Sequence, residues 1–148
     1  MTETMTGGCQ CGRVRYAARI VDDEAYLCHC GMCRRATGGA SIAFKNVALA
    51  DVTWTAAAPD IYRSSPIAER PFCAACGTPL GFRFLDSAEM ELTVGSFDDP
   101  SRFRPTTNFA IESALPAWMD ISHLPGKRIV DHAPVADRWI KAVGKLPD

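Results

Sequence analysis

Residues 72–80 read Phe72-Cys73-Ala74-Ala75-Cys76-Gly77-Thr78-Pro79-Leu80. Two cysteines separated by two residues can turn both thiolates toward one ion. The glycine behind them takes positive φ at no steric cost, so the turn can double back beneath a metal. The other cysteines lie upstream, in Cys9-Gln10-Cys11 and in Cys28-His29-Cys30-Gly31-Met32-Cys33, making seven in 148 residues. Disulfides explain this spacing poorly: an odd count leaves one thiol over, and a bridge within Cys-x-Cys closes a strained ring. Cysteines used only as small apolar residues would rarely fall into three close groups. Soft thiolates favour zinc, with iron–sulfur or Cu(I) as lesser options.

The ligands divide by spacing. Cys28, Cys30 and Cys33 lie close enough to clasp one ion together. Residues two apart in extended backbone share a face, so Cys9 and Cys11 present a pair of thiolates. Cys73 and Cys76 supply the second pair, and four thiolates close a tetrahedral structural zinc shell. The pairs stand about sixty residues apart, and a cross-link over so long a loop removes on the order of 4 kcal/mol of unfolded-state entropy. The three-cysteine ion keeps an open position, as catalytic zinc does. His29 would face away from Cys28 and Cys30 in an extended segment, which makes it a packed or supporting histidine in preference to a ligand. His123 and His132 carry no ligand spacing.

Around these motifs the chain reads as one domain, residues 1–148, with 47% hydrophobic and 22% charged residues. It contains no apolar run near the ~20 residues of a membrane span. Met1–Gly8 is polar and lacks the apolar block of a secretory signal, so a cytoplasmic location is expected. A net charge of −1 announces no basic surface for nucleic acid. Short apolar or β-branched runs bounded by Gly, Pro, Asp or Ser predict strands at 14–20, 25–28, 41–44, 52–55, 61–64, 68–72, 80–84, 89–94 and 106–111. The expected fold is mainly β and antiparallel, with a helical turn over 31–36. Val135, Trp139 and Val143 recur every four residues between Pro134 and Gly144, which predicts one short C-terminal helix within an extension at 131–148.

Three thiolates with one divalent zinc leave a single net negative charge. Such a centre is a weak Lewis acid beside a three-histidine site, but it tolerates exchange of sulfur ligands. Ligand chemistry therefore favours handling a thiol over hydrolysis. A deaminase-type zinc site requires His-x-Glu upstream of its cysteines, and no His-x-Glu occurs in this chain. Arg34 and Arg35 directly follow the three-cysteine motif and are candidates to orient an acidic substrate through charge-assisted hydrogen bonds.

The three motifs, with Gly7-Gly8 and Val14-Arg15-Tyr16 around the first, Arg34-Arg35 and Gly38 after the second, and Val94-Gly95-Ser96-Phe97-Asp98-Asp99-Pro100 and Phe103-Arg104-Pro105 downstream, resemble the glutathione-dependent formaldehyde-activating enzyme family over about residues 6–125. Centromere protein V is among that family's relatives. The resemblance implies a β-tent fold, antiparallel sheets joined by a structural zinc on Cys9, Cys11, Cys73 and Cys76. A second, catalytic zinc would sit on Cys28, Cys30 and Cys33. It further implies a carbon–sulfur lyase acting on a small thiol adduct, such as glutathione plus formaldehyde giving S-hydroxymethylglutathione. The alternative is a non-catalytic zinc-binding domain for a protein partner. Asp98, Asp99 and His29 are candidate general bases because they sit in matched segments.

Overall fold

Burial with period two makes strands of the N-terminal residues. In Arg15–Ile20, Tyr16, Ala18 and Ile20 are buried while the residues between them are not. The computed structural model describes residues 2–126 and 128–146. Its strands are β1 (Glu3–Gly8), β2 (Arg15–Ile20), β3 (Glu24–Cys28), β4 (Ile42–Ala48), β5 (Val52–Trp54), β6 (Asp60–Ser65), β7 (Ala68–Phe72), β8 (Gly81–Phe84), β9 (Glu89–Thr93) and β10 (Arg104–Phe109). One helix, α1 (Gly31–Thr37), follows β3, and a second, α2 (Ala133–Val143), lies near the C-terminus. The fold is mainly β, as expected. No described helix is long and apolar enough to cross a membrane.

The strands form a three-stranded sheet, β1-β2-β5, and a seven-stranded sheet, β10-β3-β4-β9-β8-β7-β6. Pairing is antiparallel except at one edge, where β10 runs parallel to β3 with Phe109 opposite Cys28. A parallel neighbour needs a long crossover, and the whole of β4 to β9 intervenes. Two differences from the sequence reading have local causes. β1 reads as polar because only Met5 and Gly7 of its six residues turn inward. β4 continues beyond Phe44 because Lys45, polar in sequence, is buried and satisfied by Asp22 and the Glu24 carbonyl.

The large sheet buries apolar side chains on both faces. Val47 of β4 and Met90 and Leu92 of β9 join Val14, Tyr16, Leu80 and Phe97 in the principal core. Tyr16 has no exposed surface; its hydroxyl pairs with Ser96 Oγ at 2.9 Å, and its ring meets Trp54 and Phe97 edge-on. Phe44, of opposite parity to Val47 on β4, gathers with Tyr26 of β3 and Phe82 of β8 in a second cluster around Cys28 and Cys33. Each cysteine group thus sits in a different cluster. The chain divides into two compact units, Met1–Leu115 and Pro116–Asp148. All ten strands lie in the first; α2 in the second ends on Gly144 at φ 80°, whose N–H donates to the Ile140 carbonyl.

Candidate metal centres

The turn after β1 and the turn after β7 bring four thiols together. Sγ atoms of Cys9, Cys11, Cys73 and Cys76 all lie within 4.8 Å of one another. Both turns close in the same way: Gly12 N–H donates to the Cys9 carbonyl at 3.1 Å, and Gly77 N–H to the Cys73 carbonyl at 2.7 Å. Both glycines stand at φ 79°, the conformation expected at Gly77. Tetrahedral zinc with bonds of 2.3 Å places sulfurs about 3.8 Å apart. Cys9 and Cys11 are 3.5 Å apart and Cys11 and Cys73 3.8 Å, so the four thiols fit a structural zinc. Val14 N–H donates to Cys9 Sγ, and Arg13, held by Asp60, reaches Cys73 Sγ. The Thr78 hydroxyl holds the Cys76 thiol down to about 5.

The second group forms where β3 gives way to α1. Cys28 ends the strand, Cys30 is the helix N-cap and accepts from Cys33 N–H at 3.3 Å, and Cys33 lies in the first turn. Their Sγ atoms also lie within 4.8 Å of one another. Burial pushes Cys28 up to about 12 and raises Cys33, while backbone donors hold Cys30 low against its burial. Three thiolates so enclosed need a cation, and a thiophilic metal supplies one. Among the described residues no histidine joins either group. His29 is buried with Nε2 on Asn108 Oδ1 at 2.9 Å, turned to β10 as its parity predicts.

A cavity of about 470 Å³ opens on this second group. Arg70 of β7, buried, donates from Nη2 to Cys33 Sγ at 3.4 Å, its guanidinium carbon 4.8 Å from the Phe82 ring centroid. Glu91 of β9 lines the same cavity; its Oε2 is buried without a hydrogen-bond partner, and burial, with Glu89 nearby, pushes the carboxyl up to about 7. Neither residue stands out in sequence. Ala68, Arg70 and Phe72 share one face of their strand and Glu89, Glu91 and Thr93 one face of theirs, and such charged positions read as solvated until the cavity is seen.

Arg34 and Arg35 lie elsewhere. Arg34 Nη1 donates to the carbonyls of His29 and Ser113 at 2.8 and 2.5 Å, Arg35 is exposed, and neither lines the cavity. Asp98 is held by Arg15 and Thr6, and Asp99 caps Ser101, so both carboxylates are already committed.

The profile of the family described as glutathione-dependent formaldehyde-activating enzyme matches residues 4–113. The chain belongs to this family. The matched span lies inside the first compact unit and contains both cysteine groups, the cavity and all of β4 to β10. Among solved structures, a crystal structure of a Rhodobacter sphaeroides protein, a structural-genomics target, is similar with a TM-score of 0.57. It is 22% identical, over 70% of this chain and 99% of that one, a likeness of fold. No curated protein matches the chain.

Proposed function

We propose that this member of the formaldehyde-activating family is a zinc-dependent carbon–sulfur lyase acting on a small thiol adduct. The observation that carries the reading is the three-cysteine group, one ligand short of a closed shell, in the lining of a cavity. Cys28, Cys30 and Cys33 would hold the reactive zinc, and Cys9, Cys11, Cys73 and Cys76 the structural one. A zinc bound at the first of these sets would supply a seat for a substrate sulfur in its deprotonated form. In the lyase direction the carbon–sulfur bond of a hydroxyalkyl thioether breaks, its electron pair stays on sulfur, the hydroxyl proton leaves and an aldehyde forms. The reverse direction joins thiol to aldehyde. Arg70 would offset the surplus negative charge through Cys33, and the aromatic walls would keep water from the reacting sulfur.

The test is zinc content together with rate. Two zincs per chain and faster equilibration of formaldehyde with at least one thiol of a panel including glutathione are expected, both lost at the second site in Cys30→Ser. A fully zinc-loaded protein that accelerates none of these reactions overturns the proposal.

A further inference from the structure

The cavity narrows the choice of thiol. Its walls beside the cysteines are Tyr26, Phe44, Phe82 and Phe84, with Ile67, 62% exposed, at the rim. Among the described residues that line it, Arg70 is the one cation, and its guanidinium is committed to Cys33 Sγ and the Phe82 face. The opposing group is an acid, Glu91, half-buried, with one buried oxygen unpartnered. Glutathione carries two carboxylates, and its single ammonium can offset only one of them. Seating them here would desolvate both with no free cation to receive them, beside a carboxyl and a metal–thiolate cluster that already has excess negative charge. An uncharged ring or branched chain would instead meet aromatic faces and displace water from them. The hydroxyl of such an adduct would also donate to Glu91 Oε2, satisfying the orphaned acceptor.

We propose that this site takes adducts of uncharged aromatic or branched-alkyl thiols in preference to glutathione, with Glu91 as the group that turns carboxylate-bearing thiols away. The inference rests on the lyase reading and its open metal position. The adduct forms when the thiol loses its proton and its sulfur pair makes the bond to an aldehyde carbon. The carbonyl π pair then takes up a proton to become the hydroxyl, so no oxidant or reductant enters.

The test uses the full chain loaded with Co(II), which reports sulfur ligation by charge-transfer absorption, titrated at pH 8, where Glu91 is ionised, with 2-phenylethanethiol and with glutathione. The thiol proton is released to buffer on binding. The aromatic thiol is expected to saturate the change at a concentration about tenfold lower or more. Ile67→Lys, which puts a cation on an exposed rim residue the fold does not need, should reduce that preference, and Glu91→Gln should tighten glutathione. Glutathione binding as tightly as the aromatic thiol overturns the inference and leaves the lyase reading standing. A preference unchanged in both variants overturns the assignment to this cavity. No spectral response to either thiol refutes the open position, and the inference with it.

Discussion

Arg70 Nη2 donates to Cys33 Sγ at 3.4 Å while the guanidinium lies over the Phe82 ring. This cation reaches the three-cysteine group from β7, the strand that runs directly into Cys73 of the other group. One strand therefore serves both centres, which makes their independence an experimental question.

Arg70→Met keeps the length of the side chain but removes the donor and the charge beside Cys33. Zinc affinity at the second site should fall about tenfold, as when a hydrogen-bond partner of a metal ligand is lost elsewhere. The first site and the thermal midpoint of the metal-free fold should move little. Competition with a chromophoric chelator measures both sites.

Cys76→Ser and Cys30→Ser should part company. The first opens a shell that joins turns following β1 and β7. The loss is on the order of 4 kcal/mol, enough to lower the melting midpoint by roughly 10 °C or more. The second removes one zinc and leaves the strands folded. Circular dichroism melts with zinc analysis of each variant decide it; equal unfolding by both would show that the three-cysteine group is also structural.

Gly77→Ala places a β-carbon on a residue at φ 79°. The left-handed conformation costs an alanine about 1–2 kcal/mol, so stability and retention of the first zinc should fall. Zinc at the second site should be unaffected. Denaturant midpoints and site-resolved zinc release measure the two effects.

Glu91 gives a pH signature with a definite sign. Its folded carboxyl sits at about 7, above its ordinary value, so between those values the folded chain holds a proton the unfolded chain has lost. Stability should fall as pH rises through that window and level off above about 7. Glu91→Gln should abolish this slope. Because Tyr26, Arg70, Glu89 and the three cysteines surround the group, the informative quantity is the difference between zinc-loaded wild type and variant, by denaturant unfolding at pH 5 to 8. An identical slope in both would mean that Glu91 does not titrate there.

The division of seven cysteines into four and three was legible from spacing, because three thiols within six residues can converge locally and leave two pairs over; that those pairs meet is decided by the tertiary placement of the turns after β1 and β7. The strands were legible for the same local reason: burial alternates with backbone parity, as Tyr16, Ala18 and Ile20 show. β1 and the far half of β4 were not, since Lys45 is inside only because Asp22, in the connection before β3, and the Glu24 carbonyl of β3 receive it. The surroundings of the second centre belong to tertiary structure altogether. Arg34 and Arg35 are neighbours of Cys33 in sequence, yet helix geometry turns Arg34 to the His29 and Ser113 carbonyls and leaves Arg35 exposed. Arg70 and Glu91, distant in sequence, line the cavity because β7 and β9 flank β8 in one sheet. The three-cysteine set follows from short-range chain geometry; the joining of the other two pairs, and the charge and shape of the space around the second centre, follow from how distant strands and turns are placed.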